Sequence, residues 1–124
     1  MAGNRALTAD EVKALERSMW TEDEFLSHVI ALAESCGWKT YHARPARTAR
    51  GWRTAVQGSG KGFCDLVLAK PGRGVLFREL KVDNGRLSPE QREWLATLIA
   101  AKADAGVWRP ENWIEIVSTL KGTT

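Results

Sequence analysis

The sequence predicts an α/β domain in which a small mixed central sheet is flanked by helices. Three observations carry that expectation. Apolar residues recur at helical spacing in four stretches, and shorter apolar or alternating runs stand between them. Residues 61–82, KGFCDLVLAKPGRGVLFRELKV, read as two strands joined by a Pro-Gly-Arg-Gly turn. With 124 residues, 44% of them hydrophobic, the chain can build one compact core. The predicted order is helix, helix, strand, long loop, hairpin, helix, strand, helix.

Taken in order, Thr8 and Glu11 form a capping box that opens a short helix with Val12, Leu15 and Met19 on one stripe. This helix reads as an appendage, and both dimer packing and an arm onto a substrate stay open as its use. Thr21 and Glu24 form a second capping box, opening a helix to about Cys36, with Gly37 as its stop. At about 100° per residue, Phe25, Leu26, Val29, Ala33 and Cys36 share one face. Glu22 falls on that face, whereas Glu24 already has a capping role. Glu22 is either a solvated first-turn carboxylate favoured by the helix dipole or an acid aimed inward.

Residues 38–43 follow as a strand with Trp38, Thr40 and His42 on one side. Residues 44–60 are expected to be irregular. They carry Arg44, Arg47, Arg50 and Arg53, with Trp52 among them. Guanidinium forks suit phosphates and an indole can stack on bases, so this loop matches a nucleic-acid footprint. The competing reading is a solvated basic loop with Trp52 folded onto the core.

After the hairpin, Asp83-Asn84-Gly85-Arg86 makes a turn, and Ser88, Pro89 and Gln91 supply the N-cap, N1 and N3 of a third helix. That helix shows Trp94, Leu95, Leu98 and Ile99 on its apolar face and is expected to run to about Asp104. Val107 and Trp108 suggest a short strand. Pro110 opens a last helix, to about Leu120, with Trp113, Ile114, Ile116, Val117 and Leu120 inward.

The formal net charge of +3 permits an anionic partner without requiring one. Cys36 and Cys64 lack metal-ligand spacing and read as buried free thiols in a reducing compartment. No apolar run approaches the roughly 20 residues that span a bilayer, and no signal-peptide core is visible, so an intracellular protein without a membrane partner is expected.

Three groups in the hairpin do not belong in a core: Asp65, Glu79 and Lys81. Glu79 and Lys81 are two apart, so they share a face of their strand, and the antiparallel partner brings Asp65 alongside. Such convergence is costly unless a ligand or metal resolves the charge. Carboxylate oxygens are hard ligands suited to Mg2+ or Mn2+, and a nearby lysine can hold or deprotonate a water. This set points to metal-assisted phosphodiester hydrolysis. The alternative is a salt-bridged Glu79–Lys81 pair on an exposed edge.

The runs Gly62-Phe63-Cys64-Asp65-Leu66-Val67-Leu68, Phe77-Arg78-Glu79-Leu80-Lys81 and Leu87-Ser88-Pro89-Glu90-Gln91-Arg92-Glu93-Trp94-Leu95 resemble the VRR-NUC domain, the virus-type replication-repair branch of the PD-(D/E)XK nucleases. Thr21-Glu22, Gly37-Trp38, Tyr41-His42 and Val107-Trp108-Arg109-Pro110 extend the resemblance. It implies a restriction-endonuclease-like αβββαβ core over residues 21–120, preceded by a helical extension, 1–20, and followed by a tail, 121–124. It further implies a metal-dependent endonuclease using Glu22, Asp65, Glu79 and Lys81, with Gln91 in support and the Leu80 carbonyl facing the metal. DNA would be the substrate, branched as in a Holliday junction, and two copies would act as a homodimer. No small organic cofactor is implied. His42, Ser59 and Lys61 are expected to join the arginine loop at the DNA. The family's usual Pro before the catalytic Asp is Cys64 here, and the arginine loop is longer than the family pattern.

Overall fold

The computed structural model of the chain describes residues 5–43, 46–48, 51–53 and 58–122, with only the backbone of the two three-residue segments described. Helix α1 (Ala9–Ser18) and helix α2 (Glu22–Ser35) both start at complete capping boxes, on Thr8 with Glu11 and on Thr21 with Glu24. Strand β1 (Lys39–His42) follows the stop at Gly37, whose φ of 89° is the left-handed conformation glycine adopts freely. Strands β2 (Ala46–Thr48) and β3 (Gly51–Arg53) pair antiparallel as a separate ribbon. The expected irregular loop is therefore corrected. Strands this short, with no apolar alternation, leave no periodic signal in the sequence.

The hairpin forms as expected, with β4 (Leu66–Lys70) and β5 (Gly74–Leu80) around the 71–74 turn. Helix α3 (Pro89–Ala100) starts on Ser88, and strand β6 (Asp104–Trp108), a 3-10 turn (Pro110–Asn112) and helix α4 (Trp113–Lys121) complete the chain. The main sheet has the order β1-β4-β5-β6. Its first two pairings are antiparallel, and β5–β6, joined through α3, is parallel.

Alternation along β5 splits its side chains between two layers. Leu76 and Leu80, with Leu66, Leu68 and Trp108, join Phe25, Val29 and Ala33 of α2 and Ile116 and Leu120 of α4 in one core. The Trp38 indole N–H donates to the Leu120 carbonyl at 2.9 Å and ties β1 to the end of α4. Phe77 faces the other way, toward Phe63, which also meets Trp94 of α3 edge-on. Among the described residues no helix is long and apolar enough to cross a membrane.

Three boundaries or faces differ from expectation. Helix α3 ends at Ala100 rather than near Asp104. Lys102 takes a left-handed φ of 72°, and the Ala103 and Lys102 N–H groups donate to Leu98 and Ile99 carbonyls, a Schellman closure without glycine. Ile99 of this helix points outward. Ile114 is 75% exposed, because it lies two positions from buried Ile116 and so on the opposite side of α4. Helix α1 buries none of its residues, and Met19 at its end is 76% exposed, in keeping with an appendage.

Candidate active site

The β4–β5 register places Leu66 opposite Arg78, and one step further it sets Asp65 opposite Glu79. Asp65 Oδ2 accepts the Leu80 N–H at 2.9 Å, so the carboxylate caps the end of β5. Glu79 is 1% exposed. Its Oε1 accepts a hydrogen bond from Gln91 Nε2 at 3.0 Å, and its buried Oε2 has no partner. Gln91 caps its helix and contacts Glu79 at once. Its N–H donates to Ser88 Oγ and its Oε1 accepts the Ser88 N–H, while its amide nitrogen is left to hold Glu79.

Burial, first, and then a hydrogen bond to Asp65 and its negative charge push the Glu79 carboxyl up to about 9, against the pull of Lys81. Two ionised carboxylates can only accept, which leaves Oε2 orphaned. Burial thus favours the protonated form of Glu79, whose O–H can donate where the ionised group cannot. Glu22 is raised for the same leading reason, burial, and then by Asp65, with Lys81 and His42 opposing. Lys81 therefore acts on both acids. Its N–H donates to the Trp108 carbonyl at 3.1 Å, which continues the β5–β6 ladder and keeps Lys81 in phase with Glu79.

Glu22 stands at the first position of α2, and with Asp23, Leu26, His42, Asp65 and Leu80 it lines a cavity of about 60 Å³. Glu24 is committed to the cap, accepting the Thr21 N–H at 2.9 Å. Glu22 lines the cavity and is at the same time exposed, so it keeps the character of a first-turn carboxylate at the rim. His42 Nδ1–H donates to the Asp65 carbonyl at 2.9 Å, which fixes the tautomer and makes His42 a wall of this cavity. Cys64 is buried, and burial, ahead of the Glu79 charge, pushes its thiol up to about 11, so it stays protonated beside the acids.

Asp65 and Glu79 bring their carboxyl oxygens to this end of the sheet, with Glu22 across the cavity and Leu80 at its wall. Among the described residues no three His, Cys, Asp or Glu side chains are grouped closely enough to hold a metal ion. The acids gather at one end of the sheet without forming a closed cage.

Ser59 and Lys61 lie elsewhere, lining a groove of about 400 Å³ on α3 with Glu90 and Trp94, whose indole N–H donates to the Ser59 carbonyl. Arg47 is the Cα partner of Trp52, and Arg53 that of Ala46, in the β2–β3 ribbon. Arg44 and Arg50 fall outside the described residues.

Two residues that were given no part in the site help to shape it. Gly62 has φ 85°, and a Cβ there would stand 2.5 Å from Glu90 Cβ and 2.6 Å from its carbonyl carbon. Only glycine lets the approach to Asp65 pass so close to the turn of α3 that carries Gln91. Arg109 donates to the Asp83 and Gly85 carbonyls at 3.2 and 2.8 Å, pinning the turn after Lys81. The glycine before the Asp65 strand was a visible signal. Arg109 stood in a run that resembles the family, but its role at this turn had no signal, since its partners lie across the α3 crossover.

A helix-flanked mixed sheet with acids and a lysine at the end of its central hairpin is a nuclease-type fold. Residues 8–111 match the model of the VRR-NUC domain, and the chain belongs to that family. A nuclease-type function with DNA as partner goes with that membership. No curated protein and no solved structure matches the chain.

Proposed function

We propose that this chain is a divalent-metal-dependent, structure-selective DNA endonuclease that hydrolyses phosphodiester bonds in branched DNA such as Holliday junctions. The observation that carries the reading is Glu79, a buried acid with an unpartnered oxygen, set opposite Asp65 and in phase with Lys81. A buried carboxylate with an unpartnered oxygen, beside a second acid, suits a hard cation, and Mg2+ takes only one or two carboxylates beside waters and phosphate oxygens. Asp65 and Glu79 would hold Mg2+ or Mn2+, with Glu22 across the cavity. When bound, the ion offsets phosphate charge and lowers the pKa of a coordinated water.

The chain's own residues supply the rest. Gln91 orients Glu79, His42 anchors the Asp65 backbone, and Lys81 offers an ammonium to a phosphate oxygen or to the attacking water. Paired cuts in a four-way junction call for a second copy, and the exposed Leu15 and Met19 of α1 and Ile114 of α4 offer it an apolar face.

The open arrangement of the acids favours one second reading, a silent DNA-binding module of the same fold. Incubating labelled four-way, flap and linear DNA with the chain in Mg2+, Mn2+ or chelator separates the two. Cleavage of branched DNA in metal, lost in Lys81→Ala with binding retained, is expected. Binding without product in every metal supports the silent module, and undiminished cutting by Lys81→Ala removes the proposed site.

A further inference from the structure

Strands β5 and β6 run parallel and stop at the same end of the sheet. Ligands of α/β sheets collect beyond the carboxyl ends of parallel strands. A groove of about 830 Å³ opens there, lined by Arg86, Arg92 and Arg109 together with Asp83, Gly85 and Glu111. The Lys81 N–H bond to the Trp108 carbonyl carries the parallel register one step past Leu80↔Trp108, which puts Arg109 beside Lys81. The groove thus starts where the proposed active site ends.

Its wall is stiff. Arg109 spends two guanidinium N–H groups on the Asp83 and Gly85 carbonyls, and the Gly85 N–H closes a turn on Val82 at 3.0 Å. Asp83 is held at φ 50°, a left-handed conformation that a non-glycine residue keeps only when its surroundings impose it. The turn also packs on Lys81, since a Cβ at Gly85 would stand 3.5 Å from Lys81 Cδ. Groove and lysine therefore form one unit. Arg86 and Arg92, by contrast, are exposed, and their side chains have no hydrogen bond or ion pair among the described residues, where the ion pairs are Arg5–Glu11 and Arg78–Asp104. Asp83 and Glu111 line the groove without pairing with them, so three guanidinium groups face two carboxylates and the groove keeps a net positive charge.

We propose that this groove is a second phosphate subsite, in which Arg86 and Arg92 receive backbone phosphates of the DNA strand on the Lys81 side of the site. The proposal rests on the nuclease reading, and it places a DNA contact outside the arginine loop at 44–53. Arg109 is its fixed base, holding the turn that bears Arg86.

The test is equilibrium binding of a fluorescent four-way junction to the full chain in chelator, across a range of KCl concentrations. Each phosphate contact contributes about 0.9 to the slope of log affinity against log salt. Arg86→Ala/Arg92→Ala is expected to flatten that slope by roughly two contacts' worth, about 1.8. Lys39→Ala/Lys121→Ala removes the same charge at the hairpin-turn end of the sheet and is expected to leave the slope unchanged. An unaltered slope in the arginine variant, or an equal loss in the lysine control, overturns the subsite. A wild-type chain with no salt-dependent DNA affinity overturns the nuclease reading itself, and the subsite with it.

Discussion

Glu79→Gln replaces a buried acid by an uncharged side chain of the same shape, keeping an oxygen to accept from Gln91 and adding an amide that can donate to Asp65. It mimics the protonated acid. With the carboxyl pushed up to about 9 in the folded chain from an ordinary 4.5, the native state holds one more proton than the unfolded state between those values. Stability from this group is therefore fully present below the unfolded pKa and is lost as pH rises through the folded one. One proton of difference gives a slope of about 1.4 kcal/mol per pH unit. Across roughly two units in the middle of that window, the wild-type chain should lose about 2–3 kcal/mol that the variant keeps. Glu22 shifts the same way, chiefly through its own burial, which is common to both chains, and its charge is the smallest contributor to the Glu79 shift. Urea unfolding followed by tryptophan fluorescence in chelator measures the difference. Parallel stability–pH curves for the two chains would refute a Glu79 carboxyl raised by burial, and cleavage should be lost in the variant throughout.

Two further substitutions probe the supports of the site. Gln91→Glu keeps an N3 side chain for the Ser88 capping box but sets a carboxylate against Glu79. It should cost about 1–3 kcal/mol at alkaline pH and much less in acid, and a pH-independent loss would mean that the cap, not the Glu79 contact, was removed. Gly62→Ala must place a methyl against the Glu90 backbone at a left-handed φ, so a loss of about 2–3 kcal/mol is expected in thermal unfolding. An unchanged Tm would show that the close approach of this segment to α3 is not required.

What was legible in the sequence was local chemistry. Thr8 with Glu11, Thr21 with Glu24 and Ser88 with Gln91 each form the reciprocal box their spacing announces. The hairpin turn at 71–74 fixes the register that sets Asp65 opposite Glu79, so the heart of the site could be read from one continuous stretch. Harder to see was anything decided by distant packing. Lys102 closes α3 in a conformation normally given to glycine, so no residue type marked that end. Ile99 and Ile114 are as apolar as their buried neighbours, and only their phase against the sheet turns them outward. Arg109 meets Lys81 through parallel pairing across a whole helix, a relation no short-range pattern encodes.

The raised carboxyl of Glu79 also bears on how the chain folds. Asp65 and Glu79 meet within the β4–β5 unit, whose contacts are close in sequence, whereas β6 and α4 must return from further along the chain. Local pairings of this kind form early because little loop entropy opposes them. The repulsion between the two acids is therefore met on the way into the native state. A hairpin of two ionised acids should nucleate more slowly than one holding a proton, so in chelator the refolding arm of the chevron should slow as pH rises. If only the unfolding arm responds, the two carboxylates meet after the barrier, and the hairpin is not the nucleus.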